Sequence, residues 1–195
     1  LSELDPDGMI LTNGLMAVDR DKQIIYDLPC EGKLKERLIR IFNEKRIPVY
    51  FSTLEAAIDA ATDGQTVELL RNVTNGYGVK IDKDLTIDFA GKKYQLKKAV
   101  GSTGTETNGF QILKNNNVTI KNGTLEVHEF FKNYFYILVQ NYANLTVTNM
   151  NLDGANLDKW SATDGDSYVL SNNSGKVLVD GTTSITANKD GDKAF

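Results

Sequence analysis

Apolar and polar residues alternate in short segments that recur through most of the chain. Four segments share one pattern, in which two apolar residues are separated by one position and face the same side. They are Leu85-Thr86-Ile87-Asp88, Val118-Thr119-Ile120-Lys121, Leu145-Thr146-Val147-Thr148 and Val177-Leu178-Val179-Asp180. These segments begin at residues 85, 118, 145 and 177, which gives spacings of 33, 27 and 32 residues. Self-similarity at a roughly fixed period predicts a solenoid.

Each of these segments has apolar neighbours on both sides. The preceding strands carry Val79/Ile81, Phe110/Ile112, Ile137/Val139 and Val169/Leu170, and the third apolar positions are Tyr94, Leu125, Leu152 and Ile185. Asn, Asp and Gly fill the gaps, as expected of tight corners. The pattern predicts an all-β solenoid, a right-handed parallel β-helix of about four to five coils whose inward residues stack into one core.

Five Asn residues at the predicted corners also match the acceptor pattern for N-glycosylation. They are Asn72, Asn117, Asn122, Asn144 and Asn172. Asn tolerates left-handed corners and Thr suits exposed strand positions. We therefore interpret these pairs as structural and predict that the corner Asn side chains stack in a ladder.

A short helix precedes the first coil. Ser52 and Glu55 form an S-x-x-E capping box, and Leu54, Ile58 and Ala61 lie on one apolar face. A terminal unit of a solenoid requires a cap, so we predict that this helix, residues 52–61, covers the open end of the first coil.

The run TLEAAIDAATDGQTVELLRNVT…VKIDKDLTIDFAGKKYQL resembles the start of pectate-lyase-like right-handed β-helix domains. The resemblance covers about residues 50–195. Such domains occur in bacterial surface proteins and in phage tail and capsid-associated proteins. The resemblance therefore implies a location on a virion or on a bacterial or extracellular cell surface, and a homotrimer would suit relatives in phage fibres.

Residues 1–48 differ in composition and are predicted to form a small α+β extension. Residues 1–14 have the breakers of irregular chain, and residues 16–18 and 23–26 could pair as a hairpin. Residues 32–45 form an amphipathic helix with Leu34, Leu38, Ile41 and Phe42 on one face. We predict two domains: 1–48, an attachment or packing segment, and 49–195, the β-helix.

Composition excludes several classes of function. The 195 residues are 41% hydrophobic and 25% charged, with a net charge of −4, which disfavours a nucleic-acid surface. No apolar run is long enough to span a membrane. Cys30 is the only cysteine and His128 the only histidine, so neither a disulfide within the chain nor a cysteine zinc site is expected.

Extra chain length falls at one point in each coil, in three insertions: residues 97–108 (first), 128–135 (second) and 155–167 (third). Insertions at one point in a repeat map to one side of a solenoid, and loops on a rigid scaffold commonly carry binding sites. Candidate ligand-binding residues are Phe130, Phe131, Tyr134 and Trp160. Their rings could form a platform for a sugar or could fold back over the coil beneath.

The acidic residues suggest two further kinds of site. Asp158, Asp164 and Asp166 in the third insertion are candidate calcium ligands, although Asp-Gly pairs are more often plain turns. Polygalacturonases, which share this fold, use a Gly-His-Gly segment and an Arg-x-Lys segment; Gly-His-Gly is absent, and no Arg follows Arg71, so no coil carries Arg-x-Lys. The outward column Asp88, Lys121, Thr148 and Asp180 contains no carboxylates on neighbouring coils, which glycosidic-bond hydrolysis would need.

No segment that would close the solenoid is obvious after Ile185, and an open end would expose strand edges to another chain. Truncation, a covering subunit and a folded tail are the alternatives.

These features together predict a non-enzymatic structural or recognition module that binds a surface glycan or a partner protein through stacked insertions. The alternative is a carbohydrate-active enzyme, a polysaccharide lyase or glycoside hydrolase, acting on an acidic polysaccharide.

Overall fold

The structure, a computed structural model, describes residues 8–11, 15–18, 24–28, 33, 36, 40, 49–158, 166–188 and 193–195. The chain forms two compact units, Leu1–Ala60 and Ala61–Phe195. The boundary near Val49 that composition suggests stays a prediction. In the described part of the chain, no helix has the length and apolarity needed to cross a membrane.

The first unit contains a four-stranded sheet in the order β3-β2-β1-β4. Its strands are β1 (Gly8–Leu11), β2 (Leu15–Val18), β3 (Ile24–Leu28) and β4 (Val49–Tyr50). The predicted hairpin is confirmed, since β2 and β3 pair antiparallel with Ala17 opposite Tyr26. The irregular structure expected over residues 1–14 is wrong for β1, whose apolar run Met9-Ile10-Leu11 pairs with both β2 and β4.

Two helical segments also belong to this unit. Glu36 and Arg40 are helical and exposed, as the predicted polar face of the helix over 32–45 requires. Helix α1 spans Leu54–Ala60, and Leu54 and Ile58 on it are buried. Its cap is Thr53 rather than Ser52, because the Ala56 N–H donates to Thr53 Oγ1 at 3.2 Å. Both residues are competent caps, but the helix begins one residue later than the capping box predicts. That α1 covers the first coil stays a prediction.

The second unit is a parallel β-solenoid of about three turns. Its strands are β5 (Gln65–Glu68), β6 (Val73–Tyr77), β7 (Val79–Ile81), β8 (Leu85–Asp88), β9 (Lys93–Lys98), β10 (Val100–Ser102), β11 (Thr105–Ile112), β12 (Asn117–Val127), β13 (Ile137–Asn141), β14 (Asn144–Asp153), β15 (Tyr168–Asn172), β16 (Lys176–Asp180) and β17 (Ser184–Thr186). The expected four to five coils are an overcount, because four copies of a repeat enclose only three complete turns.

The largest sheet has the order β16-β14-β12-β8-β5, with all pairs parallel. The register of the four predicted segments is confirmed to the residue. Leu85, Val118, Leu145 and Val177 form one column of Cα partners. Tyr94, Leu125, Leu152 and Ile185 form a second column across β9, β12, β14 and β17. The inward residues Ile87, Ile120 and Val147 are fully buried, so this sheet forms one wall of the core.

The second wall is the sheet of β7, β11, β13 and β15, to which β10 adds an antiparallel edge. Here the predicted alignment is wrong by two residues in the third coil. Phe110 pairs with Val139, not Ile137, and Ile112 pairs with Asn141. The apolar pattern failed because a fully buried Asn occupies the inward position of this coil.

Asn141 is held by three hydrogen bonds that replace the missing apolar contact. Its Nδ2 donates to Ala143 O at 2.9 Å and to Asn172 Oδ1 at 2.8 Å. Its Oδ1 accepts from the Ala143 N–H at 3.1 Å. The amide therefore closes the corner of its own coil and ties it to the next coil.

Two further amide ladders run along the other corners, which confirms the predicted stacking. In the first, Asn144 donates to Asn117 at 3.1 Å, and Asn117 donates to the Asp84 carboxylate at 3.2 Å. The second ladder links three side chains: Asn149 donates to Asn122 at 3.3 Å, and Asn122 donates to Asp88 at 3.0 Å.

The second ladder lies at a left-handed corner. The φ angles are 62° at Asn122, 52° at Asn149 and 61° at Gly181. Asn and Gly are the residues that adopt this conformation at least cost, so the corner chemistry explains their recurrence. The structural interpretation of the Asn-x-Thr pairs fits these contacts.

We expect Asn141→Ala to lower the free energy of unfolding by about 1–3 kcal/mol, because it leaves the buried Ala143 N–H without a partner and removes the bond to Asn172. The Ala143 carbonyl keeps its hydrogen bond from the Lys176 N–H. Urea denaturation measures the change. Asn173→Ala is the matched control, since Asn173 is an exposed Asn near the same corner. The control should change stability by no more than about 0.5 kcal/mol. Equal losses of stability in the two variants would show that the buried hydrogen bonds of Asn141 stabilise the fold no more than the exposed contacts of Asn173 do.

Candidate functional site

The second insertion folds as a 3₁₀ helix, Glu129–Tyr134, between β12 and β13. Its Phe130 is 78% exposed and its Tyr134 is 63% exposed. Phe131 between them is partly buried. Two of the three candidate rings on this segment therefore face solvent, and the alternative that they fold back over the coil is wrong for Phe130 and Tyr134.

His128 organises the start of this helix. It is the N-cap residue, and its Nδ1 accepts a hydrogen bond from the Phe130 N–H at 3.3 Å. Its ring lies 5.2 Å from the Phe130 ring and 5.7 Å from the Phe131 ring, centroid to centroid. Sequence reasoning assigned His128 no role. The available signal was its place between the end of a strand and an aromatic run, where a side-chain acceptor can cap a helix.

Backbone hydrogen bonds fix both ends of the second insertion to neighbouring coils. At the start, the His128 N–H donates to Leu96 O at 2.9 Å. At the end, Phe135 is fully buried and its carbonyl accepts from the Asp158 N–H at 2.8 Å. The exposed rings therefore extend from a short segment whose two ends are hydrogen-bonded to neighbouring coils of the solenoid.

The third insertion begins beside the second. Besides the bond from Asp158, Asn156 Nδ2 donates to Val127 O at 2.8 Å. The described start of the third insertion thus shares one side of the solenoid with the second insertion, as the repeat pattern predicts. Trp160 follows Asp158 by two residues and lies outside the described residues, so its part in a binding surface stays a prediction.

The first insertion is a β-hairpin rather than an irregular loop. Strands β10 and β11 pair antiparallel, with Ser102 opposite Thr105. Gly104 in the turn has a φ of 83°. This insertion contains no aromatic side chain and extends the second wall of the solenoid.

The proposed calcium ligands are only partly described. Asp166 accepts from the Tyr168 hydroxyl at 3.4 Å and lies 3.8 Å from Lys193 Nζ. Asp164 lies outside the described residues, and calcium binding by Asp158, Asp164 and Asp166 stays a prediction. Among the residues that the structure describes, no three His, Cys, Asp or Glu side chains are grouped closely enough to hold a metal ion.

Carboxylates do occur on neighbouring coils, which corrects the expectation from the sequence. Glu126 on β12 pairs with Asp153 on β14, and Glu68 on β5 pairs with Asp88 on β8. Glu68 was missed because the outward column was started at Asp88, one strand too late. Glu126 and Asp153 were missed because they lie in a different column, further along β12 and β14.

Glu126 and Asp153 already have partners. Glu126 accepts from Gln95 Nε2 at 2.6 Å and forms an ion pair with Lys93 at 3.1 Å. Asp153 accepts from the Ala155 N–H at 2.9 Å. These contacts join neighbouring strands and a turn, which is the behaviour of structural carboxylates.

Asp88, among the residues that the structure describes, is a carboxyl whose surroundings shift its pKa. Burial raises its pKa, but hydrogen bonds from Ala90 N and Asn122 Nδ2 and the charge of Lys121 outweigh it, so the net pKa is lowered. The Lys121 ammonium lies 3.2 Å from the carboxylate. All of these contacts stabilise a corner of the solenoid, which gives Asp88 a structural role.

Comparisons with known proteins add no assignment: protein-family models, curated proteins and solved structures gave no match to this chain. The β-solenoid is shown by the structure itself, whereas the resemblance to pectate-lyase-like domains of surface or phage proteins stays a prediction.

The lowered pKa of Asp88 predicts a specific dependence of stability on pH. A carboxyl whose native pKa is below its unfolded value stabilises the fold above the unfolded value, which is about 4 for Asp. That contribution disappears as the pH falls through the native pKa. Asp88→Asn keeps the hydrogen-bond acceptor but removes the charge. We expect it to lower the free energy of unfolding at pH 7 by about 0.5 kcal/mol.

Urea denaturation between pH 7 and pH 2 tests this prediction. The difference between wild type and Asp88→Asn should shrink below pH of about 4 and then vanish. Asp82→Asn, at an exposed carboxylate near the same sheet, is the control and should change the free energy of unfolding by no more than about 0.5 kcal/mol. A difference that stays constant to pH 2 would show that the charge of Asp88 is not what stabilises this corner.

Proposed function

We propose that the chain is a non-enzymatic recognition module that binds a surface glycan or a partner protein through its second and third insertions. The observation that carries the proposal is the exposed pair of rings, Phe130 and Tyr134, on a 3₁₀ helix fixed at both ends to the solenoid. Phe131 and Trp160 complete the proposed surface.

The physical argument begins with the cost of exposing aromatic rings. A large ring in water loses the gain of burial unless a partner covers it, so neighbouring exposed rings are typical of interaction sites. Aromatic side chains also provide rigid contact area at low cost in conformational entropy, and the Tyr hydroxyl can bond polar ligands. A sugar or a protein loop with an apolar face fits this chemistry.

Preorganisation strengthens the same interpretation. The bonds at His128 and Phe135 fix the backbone on either side of the rings before any ligand arrives. Binding then loses less entropy than it would on a free loop, so a few rings can provide useful affinity.

The proposed setting is a virion or a bacterial cell surface, and it rests on the resemblance of the repeat region to displayed β-helix domains. The net charge of −4 favours glycan or protein over nucleic acid as the partner. The homotrimer that would suit a phage fibre stays a prediction.

A screen of oligosaccharides against the purified chain is the direct test, with and without a calcium chelator. For a ligand that binds, Phe130→Ala and Tyr134→Ala should each raise the dissociation constant by about tenfold or more, because exposed central aromatics dominate interface energies. Trp160→Ala should act in the same direction. Each variant should change the stability by less than about 1 kcal/mol.

Tyr77→Ala is the matched control, since Tyr77 is a 41% exposed aromatic on β6 whose ring lies beside Lys97 and Lys98 of the first insertion, outside the proposed surface. It should leave binding unchanged. The proposal is contradicted if ligand binding survives both Phe130→Ala and Tyr134→Ala. Loss of binding only in the presence of the chelator would add calcium to the proposed site.

The alternative function is a carbohydrate-active enzyme on an acidic polysaccharide, and the Glu126–Asp153 pair on neighbouring coils is the observation that favours it. An enzyme would release oligosaccharides from such a polymer, and Glu126→Gln or Asp153→Asn would abolish the release. Asp166→Ala tests the third insertion in the same assay. Binding of the polymer without any release supports the recognition module.

A further inference from the structure

The last strand of the largest sheet, β16, leaves the core open at one end of the solenoid. Strand β16 pairs with β14 on one side, and in the described part of the chain nothing pairs with its other side. We call this side the outer edge of β16. An edge strand carries backbone N–H and C=O groups that are ready to pair with another chain.

The side chains of β16 show the same opening. Val179 continues the inward column of Ile87, Ile120 and Val147, which are fully buried, yet Val179 is 42% exposed. Leu178 beside it is 57% exposed on the outward face. The core column therefore ends in solvent at Val179. This side chain lacks the stabilisation that burial gives the other members of the column.

The described end of the chain does not cover this edge. Lys193 forms a parallel bridge with Tyr168, and the Leu170 N–H donates to Ala194 O at 3.2 Å. Residues 193–195 therefore lie on β15, in the other wall of the solenoid. The outer edge of β16 stays open among the described residues.

The sequence of β16, Lys176-Val177-Leu178-Val179-Asp180, is complementary to itself when reversed. In antiparallel pairing about Leu178, Lys176 of one copy faces Asp180 of the other, and Val177 faces Val179. Leu178 faces its own copy at the centre. Opposite charges and apolar pairs directly across two strands are both stabilising. Parallel pairing in register would instead place like charges opposite each other.

We propose that two copies of this chain form a two-fold dimer by antiparallel pairing of β16 across their open ends. The two-fold axis passes through Leu178, so one patch serves both copies, as in any isologous interface. The pairing would extend the largest sheet from one solenoid into the other and would cover Val177 and Val179 on the inward face. The inference is independent of ligand binding at the second insertion.

Substitutions that reverse the charges of Lys176 and Asp180 test the dimer. Sedimentation equilibrium over a range of concentrations should give a mass that rises to twice the 21.6 kDa of the chain. Lys176→Glu and Asp180→Lys each place two like-charged pairs across the axis and should raise the dimer dissociation constant by roughly tenfold. The double variant, Lys176→Glu with Asp180→Lys, restores opposite charges and should regain most of the affinity.

Two controls separate the interface from the fold. Asp180 Oδ1 accepts from the Gly181 N–H at 2.7 Å, so thermal unfolding of each variant must confirm that the solenoid is intact. Leu178→Lys tests the interface without touching that turn and should give a monomer, because two ammonium groups would meet on the axis. Lys114→Glu applies the same change of charge at an exposed site outside β16 and should leave the dimer unchanged.

Three results would overturn the proposal: a monomer at every concentration, a trimer, or a dimer that is insensitive to Lys176→Glu and Leu178→Lys. Oligosaccharide binding should be the same in the monomeric variants and in wild type. A failure of the dimer is thereby distinguished from a failure of the recognition site.

Discussion

The solenoid depends on one constraint, the parallel in-register stacking of inward side chains from coil to coil. Ile87, Ile120 and Val147 are Cα partners in successive strands and are fully buried. A shift of one residue in any strand would turn its apolar set outward. Each coil must therefore return to the same phase, and additional chain can leave only between strands. The different spacings of the repeat are compatible with one core for this reason.

The corners follow from the same constraint, because stacking the strands also stacks the turns. An Asn side chain both donates and accepts, so it can receive a hydrogen bond from one coil and pass another to the next. A carboxylate only accepts. Accordingly Asp84 and Asp88 stand at the start of their ladders, and Asn117 and Asn122 continue them. These two ladders therefore donate in one direction along the solenoid axis, toward Asp84 and Asp88, whereas Asn141 donates the opposite way, to Asn172 of the following coil.

The sequence alone predicted the part of the fold in which every buried position carries an apolar side chain. The columns through Leu85 and Tyr94 were correct to the residue because every member on them is apolar. The alignment failed at Asn141, where hydrogen bonds rather than hydrophobicity make burial possible. The helix cap was misplaced by one residue, since Ser52 and Thr53 offer the same hydroxyl chemistry.

The candidate site was predicted in composition but not in geometry. Aromatic residues in an insertion indicated Phe130 and Tyr134, whose exposure could not be known before the 3₁₀ helix was seen. His128 was missed because capping depends on backbone direction at the end of β12. The neighbouring carboxylates Glu126 and Asp153 were missed because that column is displaced from the segment on which the repeat was recognised.

The bonds at both ends of the second insertion have an evolutionary consequence. The six residues Glu129–Tyr134 lie between two backbone anchors, at His128 and Phe135, whose hydrogen bonds do not depend on the identity of most side chains between them. Mutation can therefore vary this segment while the strands on either side keep their register. Descendants of one scaffold could diverge in what they bind without first having to evolve a new fold.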